Sequence, residues 1–330
     1  MFTFSVMMSF ISLFRHSDGF CSTNAKVERR GQVYLDMTET DIWYYSTRIQ
    51  CMKNMCFKVF LAVVSVSSLA FSAPSLALSP EIVKPEHHYE VSTKLDVPLA
   101  LGIALTSALG VYQYCGMERV SAGDLKPKSE LLSWDRPFAG RYSGWATTVS
   151  HYSGALAVAP LALAGFSWYR GDTDGHDFGA FTLMFAEAFA LENALNQIVR
   201  SSQLWPRPYI YAERGEGRKK AESAHGEAYG SFYSGHASAA FTVAVFTGEW
   251  FSEIYPNSKY KPLVWASSFA LASGVAGLRV VAGKHYPTDI VVGALMGTGV
   301  SFGILKLHEI CKKNISFWVI PGNFGAVFYF

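Results

Sequence analysis

The chain has 330 residues, of which half are hydrophobic and only 16% are charged. That charged share lies well below the roughly 25% of an ordinary soluble domain, and a formal net charge of +2 offers no broad basic face for a nucleic-acid partner. Five cysteines (Cys21, Cys51, Cys56, Cys115 and Cys311) form no CxxC pair, and their spacings fit no zinc site.

In chain order, residues 1–51 read as a leader that is untranslated or poorly ordered. Residues 1–14 are apolar but too short to span a bilayer, which takes about 20 residues, and 15–50 are polar and unpatterned. Residues 52–77 have the layout of a secretory signal peptide, with a signal anchor as the alternative. Lys53 and Lys58 flank a basic start, 59–71 is apolar, and Ser75-Leu76-Ala77 offers a cleavage site. That layout places the expected translation start at Met52 or Met55, and leaves Cys115 and Cys311 in a mature chain.

Beyond Pro80, six apolar runs alternate with polar loops, at about 97–115, 146–168, 178–199, 237–252, 264–281 and 289–307. They lack the β-branched alternation of strands, so the expected fold is all-α, a bundle of about six apolar helices. Residues 315–330, with Pro321-Gly322-Asn323 between aromatic pieces, fit a C-terminal tail or short hairpin. The run 178–199 carries Glu187, Glu192, Asn193, Asn196 and Gln197. Glu192, Asn196 and Arg200 recur every four residues and so share a helix face, which borders either a polar cavity or water. His87 and His88 are expected in an exposed segment, and Trp134-Asp135-Arg136-Pro137 in an interfacial loop or a plain turn. The loop 213–227, with Arg218, Lys219 and Lys220, reads as a lid or a plain exposed loop.

Three clusters in the last 130 residues carry chemistry: Arg200-x6-Arg207-Pro208, then Ser231-Phe-Tyr-Ser234-Gly235-His236, then Arg279-x5-His285-x3-Asp289. Arginine binds phosphate through a planar, permanently charged fork. Ser234-Gly235 stands just ahead of an apolar helix, where free N–H groups and the dipole favour an anion. Pro287 suits a first helical position, and Asp289 falls in that helix's first turn, within reach of His285. An imidazole oriented through one ring nitrogen keeps the other unprotonated and nucleophilic.

Together these clusters resemble the signature of the type 2 phosphatidic acid phosphatase (PAP2) family, whose relatives include bacterial acid phosphatases and vanadium haloperoxidases. That signature is Lys-x6-Arg-Pro, Pro-Ser-Gly-His and Ser-Arg-x5-His-x3-Asp. Here Arg200 stands for the lysine, Tyr233 for the proline and Leu278 for the serine, with the spacing intact. The helical pattern extends the likeness over 97–307. The resemblance implies that His285 attacks phosphorus, Asp289 orients it, and His236 protonates the leaving oxygen and then activates water. It implies that Arg200, Arg207, Arg279, Ser234 and the Gly235 amide hold the phosphate, with neither a metal nor a cofactor. The implied substrate is a lipid or isoprenoid phosphate or a small phosphomonoester. The implied setting is a bacterial cell envelope: a multi-pass inner-membrane protein with an outward site, or a soluble periplasmic one. A vanadate-dependent haloperoxidase and a non-catalytic membrane protein that keeps the motifs remain the rival readings.

Overall fold

The computed structural model describes residues 87–312 apart from 119 and 121–123, and the backbone of a hairpin at 315–320 and 323–328. The leader and signal-peptide expectations at 1–51 and 52–77 lie outside the described residues, as does the side chain of Cys311.

Each apolar run becomes helical. The first is α1 (Thr93–Cys115). The second, expected as one helix over 146–168, is instead α2 (Gly144–Tyr152) and α3 (Ala159–Arg170), joined by a 3-10 stretch at Ser153–Val158. Pro160 accounts for the break, because it is tolerated in a helix's first turn but not in its interior. A left-handed Gly171 ends α3, and Asp174 caps α4 (Gly175–Ser201) by accepting the Asp177 N–H at 2.9 Å. After α5 (Gly215–Glu222) come α6 (Gly235–Ile254), α7 (Lys261–Val281) and α8 (Pro287–Lys312). The last two open with proline in the first turn, where its missing N–H costs nothing. The chain continues into an antiparallel hairpin, Ile315–Ile320 paired with Asn323–Phe328.

The central helix is α6, which packs against α3, α4, α7 and α8. Trp250, Phe246, Phe181 and Met184 fill the core beside it. Gly293 on α8 lets the backbones close: a Cβ there would lie 2.6 Å from the Ser234 carbonyl. Small residues of this kind let apolar helices approach where no hydrophobic force drives them together.

Five segments are long and apolar enough to cross a membrane: Thr93–Cys115, Gly144–Arg170, Gly175–Ser201, Lys261–Val281 and Pro287–Ile310. Their outward faces settle the setting. Val97, Leu101, Leu105 and Leu109 form a stripe at helical spacing on α1, each at least half exposed, and Leu263, Leu271, Val291 and Leu295 continue the apolar surface elsewhere. Soluble monomers rarely expose contiguous apolar surface on this scale, so the chain is a membrane protein. The interior helix α6 meets protein on most sides and can be less apolar.

The helices alternate in direction. Tyr114, at the end of α1, meets Arg200 at the end of α4, while Asp96, at the start of α1, meets His308 near the end of α8. One end of the bundle therefore gathers the C-termini of α1, α4 and α7 with the N-termini of α6 and α8.

Candidate active site

His285 lies between α7 and α8 and is only 2% exposed. The turn leading to it needs Gly283, which has φ +66° and lies against the Arg141 carbonyl, where a side chain has no room. The Nδ1 of His285 sits 2.9 Å from the Ser231 carbonyl oxygen and 3.4 Å from Oδ2 of Asp289. A carbonyl can only accept, so Nδ1 carries the proton and Nε2 keeps its lone pair. Burial, then the charges of Arg279, Arg207 and Arg200, hold the imidazole pKa well below its ordinary value. His285 is thus a neutral imidazole with a bare nitrogen, as a nucleophile must be.

Asp289 stands behind it. Its Oδ2 accepts from the Ser231 hydroxyl and, at 2.9 Å, from the Tyr286 N–H. The start of α8 is held from a distance by Asp135, whose Oδ1 accepts the Thr288 N–H at 3.2 Å. That is the role of the Trp134–Pro137 segment: Asp135 is buried while Trp134 stays exposed.

His236 is the second residue of α6. Ser234 caps that helix, its Oγ accepting the Ala237 N–H at 3.3 Å. Gly235 is required because Asn196 packs on it, with Oδ1 only 2.6 Å from where a Cβ would be. Asn196 in turn donates to the Tyr233 carbonyl at 2.7 Å, which fixes the turn before the helix.

The three arginines converge from different elements. Arg279 is buried at the end of α7 and donates to Ser150 Oγ of α2 at 2.9 Å. Arg200 donates to the Gly230 carbonyl at 3.1 Å, and its guanidinium lies 4.9 Å from the Tyr114 ring centroid. Arg207 follows in the next loop. Among the described residues none of the three forms an ion pair with a carboxylate, and the buried Nε atoms of Arg207 and Arg279 have no hydrogen-bond partner. Lys284 adds a fourth cation, 4.7 Å from the Tyr209 ring centroid. Burial first, then the charge of Arg207, pushes its pKa down to about 7. Unpaired donors of this kind are rare in folded proteins unless a ligand completes them.

A cavity of about 570 Å³ opens onto these groups. Arg200, Arg207, Arg279, His236, His285 and Gly235 line it, and so do Ala239, Val243, Leu156, Leu271, Ala272 and Val275. It is cationic where the histidines stand, and elsewhere between the helices its wall is largely apolar, with Asn193, Gln197, Thr247 and Ser268 among the apolar residues.

Residues 181–313 match the family model of the PAP2 superfamily. Two solved structures are similar to the chain. One is the first transmembrane PAP2 type phosphatidylglycerolphosphate phosphatase from Bacillus subtilis, at 22% identity and TM-score 0.39, covering 66% of this chain and 97% of that one. The other is Aquifex aeolicus LpxE, at 22% identity and TM-score 0.34, covering 52% and 92% respectively. No curated protein matches the chain.

Of the expected PAP2 site residues, Arg200, Arg207, Gly235, His236, Arg279 and His285 share the cavity wall, whereas Ser234 and Asp289 sit behind it as supports. Glu192, expected on the face of Asn196 and Arg200, does not line the cavity and is fully buried. The reason is pitch: a row at spacing four drifts about 40° per step around a 3.6-residue helix. Asn193 and Gln197 take the place expected for Glu192. His87 and His88 are part-exposed and paired, with Asp174 at 3.3 Å and Glu253 at 3.2 Å. The loop 213–227 contains α5, with an Arg218–Glu222 pair at 2.7 Å.

Sequence reasoning missed Ser231 and Ser150. No motif marks either, although Ser231 lies in the cluster that contains His236. Their roles depend on contacts across 54 and 129 residues of chain.

Proposed function

We propose that this membrane PAP2 domain hydrolyses lipid phosphate monoesters through a phosphohistidine on His285. The observation that carries the reading is the two-part cavity: three arginines without carboxylate partners among the described residues meet two histidines at one end, and largely apolar walls continue from them. A phosphate completes the arginine donors, and an acyl or isoprenoid chain fills the remainder.

In the first step the Nε2 lone pair of His285 bonds to phosphorus and the bond to the leaving oxygen breaks. His236 gives that oxygen its proton. In the second step His236 takes a proton from water, whose oxygen bonds to phosphorus while the P–N bond breaks, and His285 returns to its neutral form. Arg200, Arg207 and Arg279 balance the charge on the equatorial oxygens, so positioning and electrostatics supply most of the rate. The Ser231 carbonyl and Asp289 act through His285 by holding its ring.

Turnover of the detergent-purified protein on long-chain and soluble phosphomonoesters tests the reading. Long-chain substrates are expected to give the higher kcat/KM, with no turnover by His285→Ala. Equal rates on both classes would remove the lipid part. Peroxide-dependent halide oxidation with added vanadate, in place of hydrolysis, would favour the haloperoxidase reading.

The helix directions bear on orientation. Thr93 lies at the far end of α1 from Tyr114 and three crossings before Arg200, so an outward-facing site places Thr93 on the cytoplasmic side. An outward site and removal of a leader at Ala77 therefore exclude one another. The N-terminal sequence of the mature protein, together with reagent accessibility of the site end, decides between them.

A further inference from the structure

At the end of the bundle remote from the phosphate pocket, Asp96, Glu187 and His308 meet from α1, α4 and α8. Glu187 precedes Arg200 by thirteen residues, about 20 Å along α4 at about 1.5 Å per residue. All three side chains are buried, at 7%, 4% and 6% exposure. The Nε2 of His308 lies 2.9 Å from Glu187 Oε2 and 3.5 Å from Asp96 Oδ1. One ligand atom from each residue falls within 4.8 Å of the other two.

Charge and hydrogen bonding are incomplete. Two carboxylates face one imidazole, and no Lys or Arg among the described residues pairs with them. Glu187 Oε1 and Asp96 Oδ1 are buried without a hydrogen-bond donor. An imidazole charges to +1 at most, so a buried negative charge remains uncompensated. The other atoms are already engaged in a way that frees the cluster to bind. Asp96 Oδ2 accepts the Ser92 N–H at 2.6 Å, and His308 Nδ1 faces the Glu90 carbonyl at 3.4 Å. A backbone carbonyl on Nδ1 directs Nε2 inward, as in the outer shell of metal-bound histidines.

We propose that Asp96, Glu187 and His308 bind a divalent transition metal, with Zn²⁺ the best match, which ties α1, α4 and α8 together at this end of the bundle. A tetrahedral ion with bonds near 2.0–2.1 Å separates its ligand atoms by about 3.3 Å, close to the two separations here. One imidazole nitrogen with two carboxylate oxygens suits zinc better than Mg²⁺ or Ca²⁺, which take oxygen ligands. The ion neutralises both carboxylates and is structural.

A second group at the same end, His87, Asp174, His176 and Asp177, is the competitor the test must separate. It is more exposed, and its one buried carboxylate, Asp177, already accepts from the Tyr89 N–H. Tag-free protein stripped of metal in detergent is titrated with Zn²⁺ by calorimetry, and the loaded protein is examined by zinc X-ray absorption. The expected result is one zinc per chain with a single imidazole ligand and a thermal midpoint raised by several degrees. Binding should be lost in Glu187→Gln and His308→Ala, kept in His176→Ala and unaffected by excess Mg²⁺. Two imidazoles per zinc, unchanged binding in both cluster variants, or no saturable binding would overturn the proposal. The absorption result on the unmutated chain decides even where a variant fails to fold.

Discussion

The two ends of the helix bundle carry opposite unbalanced charges. At one end Arg200, Arg207 and Arg279 gather without a carboxylate partner among the described residues, around two histidines and an open cavity, with Lys284 beside His285. At the other, Asp96 and Glu187 face one histidine. On the surface, charged side chains pair in places, as Arg218 does with Glu222 at 2.7 Å and Lys306 with Glu309 at 2.8 Å. A buried charge is costly unless neutralised, so charge left unbalanced inside a folded chain points to a ligand of the other sign. The cavity then separates the uses: a site that turns over substrate needs a way in, whereas a structural ion does not.

Substitutions at the cationic end break this contrast most sharply. His285→Ala removes the proposed nucleophile and is expected to reduce turnover by about 10⁴-fold or more, whatever the leaving group, without altering the proposed zinc binding at the far end. Initial rates on an alkyl and an aryl phosphate check it. For His236→Ala the two substrates should diverge. General acid catalysis contributes about 10²–10⁴-fold, so the variant should lose nearly all of that on an alkyl phosphate and far less on p-nitrophenyl phosphate, whose leaving group departs with little protonation. Equal losses on both would reassign His236.

Arg279→Met separates function from stability. Loss of one charged donor to the transition state typically costs about 10²–10³-fold in kcat. Yet Arg279 is buried with no carboxylate partner among the described residues, so an apolar side chain of similar volume removes the cost of burying its charge. Activity should therefore fall while the thermal midpoint holds or rises. A midpoint that falls steeply would mean that the arginine is structural. Chelator should give the opposite pattern, with turnover retained because the arginines carry the phosphate charge, and a lower midpoint through loss of zinc.

The smallest effect concerns Lys284. With a folded pKa near 7 and an unfolded value near 10.4, it is a cation below pH 7 and neutral above it. Any attraction it exerts on a phosphate in the nearby cavity fades as pH rises through 7. The ratio of KM in Lys284→Met to KM in the unmodified protein should thus be largest at pH 6 and approach one by pH 8. Between about pH 7 and 10.4 the unfolded chain binds the extra proton, so Lys284 adds stability as pH rises over that range. A KM ratio that does not change with pH would remove Lys284 from substrate binding.

Much of this was legible in the sequence because it is local. The apolar runs mark the helices, 234–236 and 285–289 fall at helix N-termini where an anion is favoured, and 200 and 279 bring arginines to the same end from the C-termini of their helices. The break at Ser153–Val158 was hidden because hydrophobicity continues through it while Pro160 interrupts the helix. Glu187 was visible as a carboxylate in an apolar run, but its partners lie 91 residues before it and 121 after, so only packing reveals why it is tolerated. The same holds for the apolar arm of the cavity: Ala239, Val243 and Val275 are ordinary core residues in sequence, and only the crossing of α6 and α7 makes them a wall.

The most direct test asks where the phosphoryl group resides during turnover. His236→Ala mixed rapidly with p-nitrophenyl phosphate should release a burst of nitrophenol and then slow, because the variant lacks the proposed base that activates water. Alkaline quench and mass spectrometry of the peptides should find one phosphoryl group per chain on His285, and none when His285→Ala is added. A burst-free time course with no phosphoenzyme, or phosphate on any other residue, would contradict His285 as the nucleophile.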